Sequence, residues 1–289
     1  MLSEQADQGL ADADPQDVVQ ALTEMVGHPE YPCLGARSVF RRDQARVVVL
    51  DDMTDSEGLR KLSAALTAFG SEVQPEDQFA SLIAVFRAPV PESEEEFEEC
   101  LWSVLQFLAD LDRQEWAEGV SADPTNPHFS FSHAGTAFFV VGLHPLASRV
   151  ARRAPLPTLV FNLHEQFEAL RESDRFEGMR DTIRRRDEAL NGTVNPMVDD
   201  HGESSEARQY SGREVEPDWV APLDADDIPT KETTGTRQCA ATPTGSAAGA
   251  PIRRTVPRTA SPGSLRSTGP RSSSRPGTSS PSSTPSESR

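Results

Sequence analysis

The chain has few cysteines, few aromatic residues and no long apolar run. Its three cysteines, Cys33, Cys100 and Cys239, form neither a CxxC pair nor a zinc-binding pattern. No run approaches the ~20 apolar residues that a membrane-spanning helix needs, and the acidic N-terminus lacks the apolar core of a signal peptide. These absences exclude a disulfide scaffold and predict a protein of the reducing cytoplasm that has no membrane partner.

Basic residues are also scarce, since 28 Lys and Arg stand against 46 Asp and Glu, for a net charge of −18. The imbalance is uneven along the chain. Residues 230–289 carry nine basic and two acidic groups, whereas residues 1–229 carry 19 basic and 44 acidic groups. Because so acidic a body repels phosphate backbones, the sequence predicts no nucleic-acid partner.

The composition changes after Pro229. Of the 60 residues in 230–289, 38 are Pro, Gly, Ser or Thr, and none is aromatic. Such a segment cannot bury enough apolar surface to offset the entropy lost on ordering. We therefore predict a flexible N-terminus over 1–16, one domain over 17–228 and a disordered basic tail over 229–289. The tail is either a tether for an acidic partner or for the body's own surface, or a solvated segment without a partner.

Hydrophobic periodicity within the domain predicts both helices and strands. Helices are expected over 17–26 and 56–69, from Ser93 onward, and over 164–190 with a break near Asp174. Strands are expected over 45–50, as a buried strand, and over 79–86, 129–132, 136–143 and 158–161, with a hairpin turn at Ser132-His133-Ala134-Gly135. This order predicts an α+β or α/β fold, with a single, partly antiparallel sheet and flanking helices.

Common catalytic motifs are absent: the sequence contains no GxGxxG, GxxxxGK[ST], GxSxG or HExxH. The candidate residues therefore lie in polar, proline-punctuated strings. Cys33, beside Gly35 in a predicted turn, is either a nucleophile or a small buried thiol.

The first string places His144 at the end of an apolar strand, followed within nine residues by Arg149, Arg152 and Arg153. An imidazole at the mouth of an apolar sheet can bind a metal or a haem iron, and guanidinium groups suit propionates or another anion. The alternative is a histidine that holds the strand end by hydrogen bonds, with arginines that balance the charge of the acidic surface.

Two further strings are equally open. His164 and Glu168 share a helix face four residues apart, where Asn162 is placed to cap the helix. They are either a metal-ligand pair or a surface pair. The segment 205–213 carries Glu206, Arg208 and Tyr210 with little apolar periodicity, so it either packs against the core or lines a site.

Six strings together resemble the YqcI/YcgG family. They are Pro32-Cys-Leu-Gly-Ala-Arg-Ser38, Phe138–Arg149, Val160–Glu168, Ile183-Arg-Arg-Arg-Asp187, Asn195-Pro-Met197 and Ser205–Arg213. They follow the family order and leave the tail outside the match. The chain departs from the pattern after Trp219, where Val220-Ala-Pro-Leu223 replaces a Cys-Pro-Phe-like ending.

The resemblance implies a monooxygenase that binds haem b and uses O₂ and electrons from an external donor, a reductase. It would N-hydroxylate a guanidino or amino group of an arginine-like molecule in specialised metabolism. By the same resemblance, His144 is the first candidate for the axial ligand, followed by His164 and then Cys33. The cofactor-binding candidates are Arg149, Arg152, Arg208 and Tyr210. The candidate catalytic carboxylates for a guanidinium are Glu168, Asp187 and Glu206.

Two other functions stay open. One is a non-catalytic protein that binds haem or another small ligand, in sensing or transfer. The other is a stress-related interaction module whose basic tail recruits partners. The sequence makes no prediction of the oligomeric state.

Overall fold

The structure is a computed structural model, and it describes residues 8–73, 79–172, 176–193 and 204–224. The tail predicted over 229–289 lies outside the described residues, as do the first seven residues of the predicted flexible N-terminus and the Asn195-Pro-Met197 string.

Seven α-helices and two 3₁₀ turns surround one sheet in the described part of the chain. The helices are α1 (Gln8–Ala11), α2 (Pro15–Gly27), α3 (Leu34–Arg41), α4 (Ser56–Glu72), α5 (Glu94–Leu111), α6 (His164–Glu172) and α7 (Phe176–Asn191). The 3₁₀ turns are Val150–Arg152 and Glu206–Gln209. Each of these described helices is too short or too polar to cross a bilayer.

The sheet has five strands in the order β1-β2-β5-β4-β3. They are β1 (Ala45–Asp52), β2 (Ser81–Ala88), β3 (Phe131–His133), β4 (Thr136–Leu143) and β5 (Thr158–Leu163). Only β1 and β2 are parallel; the other pairs in the sheet are antiparallel. The predicted α+β class with a single, partly antiparallel sheet is confirmed.

Local sequence signals account for several element ends. Ser93 caps α5, because its Oγ accepts a hydrogen bond from the Glu96 N–H at 3.1 Å, and acidic residues fill the first turn. The hairpin between β3 and β4 turns at Ala134 and Gly135, whose φ angles of 51° and 73° fit a tight primed turn. Both features match the sequence prediction.

The two faces of the sheet bury different neighbours. Leu82, Ala84 and Phe86 face the larger core, which α4 and α5 cover. Ile83 and Val85, which alternate with them along β2, face α2 in a smaller core. Strand β1 lies at the sheet edge and is mostly half-buried rather than fully buried as predicted.

The N-terminal prediction differs from the structure. Residues 8–11 form α1, and the Arg87 guanidinium donates hydrogen bonds to the carbonyl oxygens of Leu10, Ala11 and Ala13 at 3.4, 2.6 and 2.8 Å. Because Arg87 lies more than 70 residues away along the chain, local composition gives no sign of this contact.

Candidate functional site

A cavity of about 390 Å³ lies on the α2 side of the sheet, a size typical of small-molecule sites. Strands β2, β4 and β5 form its floor, and α2, α3, α6 and α7 line the remainder together with residues near 149–152 and 204–209. The cavity and the α4–α5 core therefore occupy opposite faces of one sheet.

Alternate residues of β4 and β5 form the cavity floor. The register pairs Phe139 with Asn162, Val141 with Val160 and Leu143 with Thr158, and all six residues line the cavity. Because alternate residues of a strand point to the same face, these six side chains form one floor. The floor is apolar except for Thr158 and Asn162, which lie towards the two ends of β5.

Asn162 was predicted to cap α6, but the structure places it elsewhere. It lies in β5, where its Oδ1 accepts a hydrogen bond from Ser81 Oγ at 2.7 Å and its Nδ2 donates to the Phe139 carbonyl at 3.2 Å. The side chain is thereby held within the sheet, at the cavity end of the strand.

Helices α6 and α7 contribute a polar wall. His164, Phe167 and Arg171 lie three and four residues apart along α6, and all three line the cavity. On α7 the lining residues repeat in the same way, at Arg180, Ile183, Arg184 and Asp187. Only Asp187 of this α7 set was expected from the sequence to be a site residue. The helical spacing of the other residues was the signal that would have identified them.

Cys33 and Tyr31 face the cavity from the segment before α3, a helix that the sequence analysis did not predict. Cys33 caps α3, and its Sγ accepts a hydrogen bond from the Ala36 N–H at 3.4 Å. Burial raises the pKa of the Cys33 thiol despite the opposing effects of the helix N–H groups and of Arg152. Burial also raises the pKa of the Tyr31 hydroxyl, so both groups are neutral at physiological pH.

Arg152 lines the cavity but its guanidinium serves the backbone. Nη1 donates to the carbonyl oxygens of Gly142 and Tyr210 at 2.9 and 3.3 Å, and Nη2 donates to that of Gln209 at 3.0 Å. Arg152 therefore fastens the second 3₁₀ turn to β4.

Arg149 and Asp187 form an ion pair at the edge of the cavity. The other Asp187 oxygen accepts a hydrogen bond from Asn191 Nδ2 at 2.7 Å, and Arg149 also donates to the Thr193 carbonyl at 2.8 Å. The charge of the Asp187 carboxylate is therefore already neutralised within the protein.

Glu206 is a cavity carboxylate of a different kind. Its Oε1 accepts hydrogen bonds from the hydroxyls of Tyr210 and Ser130 at 2.6 and 2.8 Å, and it forms no ion pair with any described residue. Burial raises the pKa of the Glu206 carboxyl to about 7, against the opposing effect of these hydrogen bonds. When ionised, Glu206 thus places in the cavity a negative charge that forms no ion pair with a cation among the described residues.

The predicted pair of His164 and Glu168 is present, with Nε2 and Oε1 3.3 Å apart. Glu168 also pairs with Arg171 and does not line the cavity. Within the part of the chain that the structure describes, no third His, Cys, Asp or Glu completes a metal site around this pair.

His144 lies outside the cavity lining. It is 1% exposed, and its ring stacks on Phe97 with the centroids 4.4 Å apart. Its backbone N–H donates to the Arg152 carbonyl at 3.0 Å. Burial lowers the pKa of the imidazole to about 4. The geometry therefore favours the structural alternative for His144.

Arg208 and Tyr210 also lie outside the cavity lining. Arg208 donates to backbone carbonyls of the segment 215–219, at distances from 2.9 to 3.4 Å. Tyr210 is fully buried and stacks on Trp102, with the ring centroids 5.7 Å apart. Both residues fold the loop that presents Glu206.

The comparisons with known proteins identify one family that spans the described domain. The model of the YqcI/YcgG family matches residues 22–224, which include every cavity-lining residue. Two Bacillus subtilis (strain 168) proteins, YqcI and YcgG, are each 28% identical to the chain. The YqcI match covers 69% of this chain and 83% of the relative, and the YcgG match covers 64% and 77%.

A third relative carries a functional name. The Streptomyces lavendulae protein "Putative N(omega)-hydroxy-L-arginine synthase DcsA" is 28% identical over 62% of this chain and 69% of its own length. No solved structure matches the chain significantly.

Proposed function

The chain belongs to the YqcI/YcgG family, and from this membership and the cavity we propose that it is a haem-dependent N-hydroxylase. Its substrate would carry a guanidino or amino group, as arginine does. The name of the Streptomyces lavendulae relative supports this reaction class. The observation that carries the proposal is Glu206, a carboxylate that faces the cavity without a cationic partner among the described residues.

Comparison of the three candidate carboxylates favours Glu206 as the substrate anchor. Glu168 lies outside the cavity lining and pairs with Arg171. Asp187 lines the cavity but is paired with Arg149. Among the described residues Glu206 has hydroxyl donors and no ion-pair partner, so a bound guanidinium would provide a directly paired opposite charge.

The residues of the cavity fit a haem group. The apolar floor of β4 and β5 suits the macrocycle, and Arg180 and Arg184 of α7 supply cations for propionates. His164 and Cys33 supply two side chains of the type that ligates haem iron. Bound haem would supply the activation of O₂, which no protein side chain provides.

His164 is the better of the two ligand candidates. A carboxylate on one ring nitrogen, here Glu168 at 3.3 Å from Nε2, is a common partner of metal-binding imidazoles and fixes their orientation. Burial raises the pKa of the Cys33 thiol and so opposes formation of the thiolate. His164, rather than His144, is therefore the residue that would ligate the haem iron in this proposal.

The overall reaction needs a reductase as a partner. One oxygen atom of O₂ is inserted into an N–H bond of the substrate, and the other leaves as water with two protons. Two electrons from the external donor complete the balance. In this proposal the chain's own residues orient the substrate nitrogen and exclude bulk water from the cavity.

Absorption spectroscopy tests the proposal directly. The full-length protein, purified and supplied with hemin, should show the Soret band of a bound haem, and arginine or agmatine should shift that band. A protein that takes up no hemin would refute haem dependence. A haem-bound protein whose spectrum and activity respond to no guanidine or amine would instead be a non-catalytic haem-binding protein.

A further inference from the structure

Two hydroxyl groups connect the cavity carboxylate to the backbone of the β3–β4 hairpin. Tyr210 Oη lies 2.6 Å from Glu206 Oε1 and 3.2 Å from the carbonyl oxygen of Phe138. Ser130 Oγ lies 2.8 Å from the same Glu206 oxygen and 3.2 Å from the same carbonyl. Each hydroxyl, with one hydrogen to donate, therefore has two acceptors within reach.

This arrangement lets the hydroxyl hydrogens follow the charge on Glu206. When Glu206 is ionised, both hydroxyls donate to Oε1, which is the nearer acceptor. When Glu206 is protonated, the hydroxyls can turn to the Phe138 carbonyl without movement of any heavy atom. The Phe131 N–H holds Tyr210 Oη in place from the hairpin side, at 3.1 Å. Both protonation states thus keep satisfied hydrogen bonds.

We propose that Glu206 is a proton-exchanging anchor, so that a cationic substrate binds to the ionised carboxylate and, at acidic pH, displaces the Glu206 proton to solvent. This inference rests on the proposed function and adds a specificity device to it. The anchor would admit cations and reject neutral analogues. Ser130 and Tyr210 are its positioning residues, because they set the pH at which the proton leaves.

The charged neighbours of Glu206 are consistent with this role. Arg171 of α6 favours the ionised carboxylate, and Glu168 of the same helix opposes it. Tyr210, whose own pKa burial raises well above its usual value, stays a neutral donor. With burial as the largest effect, the pKa of Glu206 lies at about 7, so the carboxyl can hold a proton before substrate arrives.

Isothermal titration calorimetry of the full-length protein, loaded with hemin, tests the proposal. Arginine binding would be measured at pH 6 in two buffers that differ in ionisation enthalpy, which gives the number of protons released. We expect close to one proton per arginine at pH 6 and almost none at pH 9, and an affinity that falls about tenfold per pH unit below the midpoint. Citrulline, which carries a neutral urea in place of the guanidinium, should release none.

Variants separate Glu206 from other sources of protons. Glu206→Gln should abolish both the proton release and the pH dependence of binding. Tyr210→Phe and Ser130→Ala should each move the midpoint upward by about one pH unit, because each removes a donor to the ionised carboxylate. Ser211→Ala removes a hydroxyl from the same loop that contacts Glu98 instead, at 2.8 Å, and should leave the midpoint unchanged.

Three results would overturn the inference. Arginine binding without proton release at pH 6, or an unshifted midpoint in both hydroxyl variants, would refute the exchange and leave N-hydroxylation intact. A protein that binds neither arginine nor agmatine at any pH would refute the substrate class proposed above, and the anchor with it.

Discussion

Arg213 and Glu98 form a buried, two-pronged ion pair between the loop after Tyr210 and α5. The Arg213 Nε and Nη2 atoms lie 2.9 and 2.7 Å from Glu98 Oε2, and the two side chains are only 13% and 9% exposed. The other oxygen of Glu98 accepts a hydrogen bond from Ser211. These contacts therefore hold the loop that follows Glu206 against α5, which covers the face of the sheet opposite the cavity.

We expect Arg213→Ala to lower the free energy of unfolding by about 3–5 kcal/mol, because it leaves the Glu98 charge buried and unpaired. Urea denaturation followed by circular dichroism measures this loss. The control is Lys61→Ala, whose ion pair with Glu57 lies in solvent and whose loss should leave stability near wild type. Equal effects of the two variants would contradict the role given to Arg213.

Gly142 is required by close packing between β4 and α5. A Cβ atom there would lie 2.6 Å from a Phe97 ring carbon and 2.8 Å from both Leu101 Cδ1 and the Tyr210 carbonyl oxygen. Gly142→Ala should therefore lower the free energy of unfolding by about 1–3 kcal/mol, as overpacking does. Gly178→Ala in α7, where a Cβ meets nothing within 4 Å, should instead stabilise the helix by up to about 1 kcal/mol. Thermal unfolding of both variants checks the contrast.

Protonation of His144 should destabilise the protein in mild acid. The folded protein holds the pKa of His144 at about 4, below its ordinary 6.5, so the unfolded chain binds this proton more readily. The contribution of neutral His144 to the free energy of unfolding is fully present above pH 6.5 and is lost as the pH falls towards 4. We expect about 2 kcal/mol of this loss between pH 6.5 and 5.

Urea titrations at several pH values measure the effect. His144→Gln should flatten the dependence in this window. Glu206 acts in the opposite direction, because the folded protein raises the pKa of its carboxyl from 4.5 to about 7. The contribution of Glu206 to stability is present below pH 4.5 and is lost as the pH rises to about 7. The effect of His144 is therefore obtained by subtracting the pH dependence of His144→Gln from that of the wild type.

The two histidine candidates for the haem ligand give opposite expectations. His164 lines the cavity, whereas His144 stacks on Phe97 outside it. After hemin loading, His164→Ala should lose or shift the Soret band, and His144→Gln should retain the wild-type spectrum. If His144→Gln instead loses the band in a folded protein while His164→Ala retains it, our assignment of the ligand is wrong.

Glu206→Gln should weaken the binding of arginine by about 10- to 100-fold, because it replaces a charge-assisted hydrogen bond to the guanidinium with a neutral one. The measurement is the dissociation constant at pH 8, where the carboxyl is ionised. Glu165→Gln, an exposed change in the first turn of α6, is the control and should bind arginine as the wild type does. Unchanged affinity in Glu206→Gln would rule out this residue as the anchor.

Local signals in the sequence determined much of the fold. The primed turn at Ala134 and Gly135 and the cap at Ser93 depend on residues within a few positions of one another, so their chemistry is readable from short strings. The apolar run over 136–143 likewise predicted the strand that the structure shows as β4. The helix α3 was missed because it spans only eight residues and its cap is the unusual Sγ of Cys33.

The sequence by itself also determined the family-like strings and the acidic balance of residues 1–229. Only the tertiary structure decided which candidates meet. It placed His164, Cys33 and Glu206 around one cavity, left His144 outside it, and paired Asp187 with Arg149. The physical reason is that burial and charge pairing depend on which sheet face a helix covers and on residues distant along the chain, neither of which a short string specifies.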